Sequence, residues 1–478
     1  MEQSDLKGGI RMGRKTFICG LVLVFLFSLT SGCARKEKKT ETKLTKKEEA
    51  IREKMEREKG EKIGKQLIIG KGGRIKIVYW TQPFGTSLSE NKDIARAWRR
   101  LYTTFEKKYP QIEITVEMMP ALEAFKTKLL MAAATGNAPD VATVDSYWVP
   151  KFYDLGYLQP LGEFWSKEDQ KDFFPFCIQG TSKGEKIYAL WYGTDLRCLY
   201  YRTDLIPQPP KDWEELIKTA KKVTTKKVWG FGFPAGRNEG TLCCLLPYLW
   251  GQGGRLVDEK GAPVFNQGKN KKALIFILNA YSDLVNKEKV SPPDVVLSDG
   301  ESYVEPRVYA GGYAMFNGGS WQINTIRNFS PEVANLWKVT DLPMPKGAKH
   351  STTVGGFTYA IFSKDKEKKS AAWKFIQHIS STSAQVMLNK AGGGLPTRKS
   401  AYKADPYFSK DPYYQAFMKM LEYGRPRPGV PLYFNISEQI QLAVGEVVSG
   451  GKTAQEALDK ASKKIEEEYK RMRKRNQK

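Results

Sequence analysis

The sequence predicts an α/β protein organised as two lobes, and three observations carry that expectation. At 478 residues the chain is longer than one hydrophobic core usually organises. Its apolar fraction of 41%, with 12% aromatics, is ample for well-packed cores. From about residue 74 onward, apolar spacing switches repeatedly between period 2 and period 3.6, as strands and helices in alternation require.

The elements follow in order. "RIKIVYW", Arg74 to Trp80, alternates and then runs apolar as a strand. Asp93 to Tyr109 carries Ile94, Ala97, Trp98, Leu101 and Phe105 on one helical face, and "QIEITVEMM" is a period-2 strand. "FKTKLLMAAATG" reads as a helix and "PDVATVD" as a strand. "SYWVPKFYDLG" then forms a helix with Pro150 in its first turn, where a missing N–H is harmless. A second section opens at "TDLRCLYYRTDL", a strand. "PPKDWEELIKTAKKV" follows, with Asp212 and Glu215 at capping-box spacing. "KALIFILNAYSDLVN" is an amphipathic helix, and "VYAGGYAMFNGGSW" is a strand running into a glycine turn before Trp321. "KVTDLPMP" and "VGGFTYAIFS" return the chain to a helix, "SAAWKFIQHIS". The last helix starts at "TAQEALDKA", with a capping box from Thr453 to Glu456.

Ahead of this body, "FICGLVLVFLFSL" is apolar over Phe17 to Leu29, shorter than the roughly 20 residues that span a bilayer. Arg11, Arg14 and Lys15 precede it, and Thr30, Ser31 and Gly32 lead into Cys33. This resembles a bacterial lipoprotein signal, which implies cleavage before Cys33 and a lipid on its thiol. An ordinary signal peptide with an incidental cysteine is the alternative. The expected division is a signal peptide over 1–32 and a lipid-anchored charged spacer over 33–73.

The formal net charge of +25 would ordinarily suggest nucleic acid or an anionic surface. Much of the excess lies in the spacer and in mixed Lys/Glu runs such as "KKIEEEYKRMRKRNQK", which read as solvated faces, and no nucleic-acid signature accompanies them. Nucleic acid is therefore not expected as a partner. With two histidines and neither HExxH nor GxSxG, most catalytic templates fail, and no metal or other cofactor is expected. "GEVVSGGKT" imitates a phosphate-binding loop but has Glu446 where the spacing needs glycine. Asp145, Asp195 and Glu239 form potential carboxylate pairs of the kind glycoside hydrolysis uses, which keeps a secreted carbohydrate-active hydrolase as the alternative from another class.

Nine segments in order resemble the extracellular solute-binding proteins of ATP-driven sugar importers. They include "FEKKYPQIEITVE", "AAATGNAPDVATVD", "YDLGYLQPL", "AGGYAMFNGGSW", "GGGLPTRKSAY" and "EVVSGGKTAQEALDKA". The resemblance implies the two-lobed periplasmic-binding-protein fold, with a hinge between discontinuous lobes. Lobe 1 would be 74–196 plus 340–382 and lobe 2 197–339 plus 383–470, with a basic tail over 471–478. It implies a non-catalytic, monomeric receptor outside the cytoplasm that delivers a carbohydrate to membrane permease subunits of an ABC importer, held to the membrane by its lipid. Within the family, an acidic saccharide, a glycerol phosphate compound or a peptide is the alternative ligand, with Arg197, Arg237 and Arg425 as candidates to bind an anion. Sugars offer apolar C–H faces and a hydroxyl rim, which suit aromatic platforms beside planar polar groups. The expected ligand contacts are Trp80, Gln82, Asp145, Tyr147, Trp148, Trp191, Asp195, Trp321, Tyr433 and Asn435. Trp98, Trp213 and Trp373, on amphipathic helices, are expected in the core.

Overall fold

A computed structural model describes residues 45–51, 64–120, 122–297 and 301–476. The expected signal peptide and Cys33 lie outside the described residues. The expected alternation is present. Strand Ile75–Thr81, helix Lys92–Lys108, strand Ile112–Met118, helix Leu122–Ala134 and strand Val141–Asp145 form a parallel unit, with Ile75–Thr81 paired to both other strands. Several helices start where a side chain can satisfy a free N–H. Asn91 accepts from Asp93 and Ile94, and Asp212 from Glu215, at the heads of Lys92–Lys108 and Trp213–Val223.

One mixed sheet runs through the molecule. Beyond Val141–Asp145 come Thr352–Ile361, the 14-residue strand Ala189–Arg202, then Tyr313–Gly319 and Trp229–Gly232. The long strand changes partner along its length. Ala189 to Leu196 pairs with Thr352–Ile361, whereas Arg197 to Tyr201 pairs with Tyr313–Gly319 and Leu199 to Arg202 with Trp337–Thr340. Two half-sheets thus share one backbone.

Trp98 and Trp373 pack with Phe105, Trp165 and Phe375 under the first half, and Trp213 meets Tyr248 edge-on under the second. All three are core residues, as their helical faces predict.

Three expectations need correction. The sheet begins inside the stretch read as spacer, because Gln66–Ile69 adds an antiparallel edge strand to Ile112–Met118 and buries Ile69. The basic tail is no separate segment. Helix Ala454–Asn476 continues through it, with Met472 buried and Arg475 ion-paired to Asp154. Gly318 and Gly319 end a strand, so space and not turning requires them: a Cβ at Gly319 would collide with the Trp321 indole, and one at Gly318 with the Phe316 ring.

Candidate ligand-binding site

Val141–Asp145 ends at the edge where the chain turns into the helix Val149–Asp154, and Asp145 stands at that end. Open α/β sheets collect ligands at this position. Facing it is Glu239 at the head of helix Glu239–Gly251, and between the two carboxylates lies the guanidinium of Arg427. Arg427 is only 6% exposed. It donates to Asp145, to Ser146 Oγ at 2.9 Å and to Glu239 Oε1 at 3.3 Å, and it lies 4.7 Å over the Tyr147 ring. Glu239 is held from its other side by Tyr433, whose hydroxyl donates at 2.6 Å, and by Ser437.

Burial pushes the carboxyls of Asp145 and Glu239 above their ordinary values, and the neighbouring guanidinium pulls both back. Burial also works against the charge on Arg427, but Asp145 and Glu239 keep it firmly protonated.

A second charged pair adjoins the first. Arg197 Nη1 donates to Asp195 Oδ1 at 2.8 Å and its guanidinium covers the Trp321 ring at 4.7 Å. The two pairs meet over Gly355, where a Cβ would come within 3.2 Å of Asp195 Oδ1 and 3.3 Å of Arg427 Nη2. A hollow of about 10 Å³, room for a single water, lies beside them and is walled by Tyr147, Trp191, Arg427 and Gly429. The Trp191 indole there donates to Gly193 O at 2.8 Å.

The structure therefore brings Asp145, Tyr147, Trp191, Asp195, Trp321 and Tyr433 together with Arg197, Glu239 and Arg427. Trp148 lies behind them, fully buried, with its ring edge-on to both Phe125 and Tyr147. Asn435 lines a separate groove with Gln439, Lys464 and Glu468 against the terminal helix. Gln82 is buried, its Nε2 without a partner among the described residues, and Trp80 lies under the Lys128 ammonium at 4.9 Å. Of the arginines singled out from sequence, Arg237 pairs with Glu438 and Arg425 is exposed.

Arg427 was missed, and its only cue was the flanking pair Pro426 and Pro428, which stiffen the backbone on both sides. Chemically the arrangement offers fixed acceptors and fixed donors beside the half-buried Trp321 indole, one face of which Arg197 covers. Neither Asp145 nor Glu239 is a free general acid, since one guanidinium occupies both.

A family model for bacterial extracellular solute-binding proteins matches residues 100–416. The chain belongs to that family. This solute-binding protein acts outside the cytoplasm, and among its described residues no helix is long and apolar enough to cross a membrane. It is 25% identical over 380 residues to a probable ABC transporter-binding protein of Deinococcus radiodurans, covering 76% of this chain and 87% of the relative. The two-lobed maltose-binding-protein-like fold is shared with maltose-bound T. maritima MalE3, at a TM-score of 0.72 and 26% identity, covering 82% of this chain and 99% of the other. It is likewise shared with a solute-binding protein from Thermotoga lettingae bound with α-D-tagatose, at 0.71 and 26%, covering 82% and 98%.

Proposed function

We propose that this solute-binding protein captures a carbohydrate at the cluster around Asp145, Asp195 and Glu239. It then delivers the ligand unchanged to the permease of an ABC importer. The observation that carries the reading is the set of three ion pairs, Arg427 with Asp145 and with Glu239, and Arg197 with Asp195, set against Tyr147, Trp191 and Trp321. Such a set supplies donors and acceptors in fixed directions beside flat apolar faces, which is what a sugar ring requires. Relatives bound to maltose and to tagatose support the same class.

The lobes meet along the long strand at Leu196 and Arg197, with further crossings near Lys338 to Leu342 and Ser380 to Ala384. Few crossings leave rotation weakly opposed, and a ligand touching both lobes shifts the population toward closure. The mature protein works as a monomer, held at the membrane by a lipid on Cys33. Calorimetric titration with neutral mono- and oligosaccharides and with acidic saccharides tests the reading, each ligand being recovered and analysed afterwards. Saturable binding of a neutral sugar recovered intact is expected. Turnover of a glycan, or binding of acidic ligands alone, would overturn it.

A further inference from the structure

The stretch between Cys33 and the folded body is too charged to suggest any docking, yet one short piece of it is docked. Residues 46–51 are helical, and Glu48 within them is only 5% exposed. Its carboxylate does two things. Oε2 accepts the Thr45 N–H at 2.6 Å while Thr45 Oγ1 accepts the Glu48 N–H at 3.3 Å, a reciprocal capping box. Oε1 accepts from Arg307 Nε at 3.2 Å. Arg307 is itself buried, with Nη1 and Nη2 on the Asp294 carboxylate at 3.0 and 2.9 Å. The socket exists because residue 312 is glycine: a Cβ there would stand 2.9 Å from Glu48 Oε1 and 2.6 Å from Arg307 Cγ. Ile51 adds an apolar contact to the cluster holding Val308, Tyr309 and Tyr313, while Lys46, Lys47, Glu49 and Ala50 face solvent.

We propose that residues 45–51 are a built-in docking segment, in which Glu48 locks into the Arg307, Asp294 and Gly312 socket of the second half-sheet. So short a helix does not stand alone in water, and its order comes from this contact. The first described fastening of the chain to the body is thus at residues 45–51 instead of Gln66, on the half opposite to the one it joins at Gln66–Ile69. At about 3.5 Å per extended residue, the reach from Cys33 falls from about 115 Å to about 40 Å. Only this last consequence rests on the lipid anchor; the docking does not.

Hydrogen–deuterium exchange on the full chain tests it, with a free peptide spanning residues 42–56 as reference. The amides of Glu49, Ala50 and Ile51 are expected to exchange at least about tenfold more slowly in the chain than in the peptide, since the Glu49 N–H already donates to Thr45 O at 2.9 Å. Glu48→Ala should return them to the peptide rate. Strand Tyr313–Gly319 should stay protected in that variant, because Arg307 keeps both bonds to Asp294, and this separates undocking from unfolding. Peptide-like exchange in the unmodified chain, or protection that survives Glu48→Ala, would overturn the proposal whether or not Cys33 carries lipid and whatever the ligand.

Discussion

Replacing Arg427 by Met keeps a long stem over Tyr147 and removes the charge that two buried carboxylates share. Among the described residues, Asp145 would retain the Ser146 hydroxyl and the Tyr147 N–H, both at 3.3 Å, and Glu239 would retain Tyr433, Ser437 and Gln441. Removing one partner of a buried ion pair costs about 3 to 5 kcal/mol, because the charge left behind is neither solvated nor matched. The pH dependence identifies that cause. Both carboxyls already have folded-state values raised by burial, and losing the guanidinium raises them further. A carboxyl with a raised folded value binds its proton more tightly in the folded state, so it stabilises the fold at low pH. That contribution fades as pH climbs from the unfolded value, about 4, through the folded one. Arg427→Met should therefore cost about 3 to 5 kcal/mol near pH 7 and much less near pH 4. Urea unfolding of both proteins across that range measures it. A loss under about 1 kcal/mol at pH 7, or one equal at both ends, would show that Arg427 does not neutralise this pair.

Trp321→Ala should lower sugar affinity roughly five- to hundredfold, about 1 to 3 kcal/mol, with little change in melting temperature; calorimetry with thermal denaturation reads both. Trp148→Ala should do the reverse, costing about 3 to 5 kcal/mol of stability as a core truncation, with near-normal affinity in the folded fraction. Cys33→Ser should move the mature protein to the soluble fraction or block its processing, and unchanged membrane retention on fractionation would count against the lipid.

Where an element has one dominant apolar face, the sequence shows it. Trp98 and Trp373 were legible as core because their helices bury a single stripe, and Asp212 and Thr453 because capping chemistry is local. Trp148 was not, since an indole at a strand end can turn to either side, and here it turns inward onto Phe125. The edge strand Gln66–Ile69 and Glu48 were hidden for a shared reason. Each is a short piece in a charged run, and its burial depends on partners far along the chain, Ile112–Met118 for one and Arg307 for the other. Arg427 was illegible in the same way, because what buries it are Asp145 and Glu239, 282 and 188 positions away.

The strand Ala189–Arg202 behaves mechanically as a torsion bar, gripped by different ladders at its two ends. Any turning of one end against the other concentrates where the grip changes hands, at Leu196 and Arg197. There Thr352 Oγ1 accepts the Arg197 N–H at 2.9 Å and donates to Arg197 O at 2.6 Å. A ladder bond is fixed by two rigid peptide planes, but this clasp hangs on a hydroxyl that swivels about its own bonds. It can follow a twist of the bar without letting go, so the backbone polar groups there would stay satisfied under any such turning.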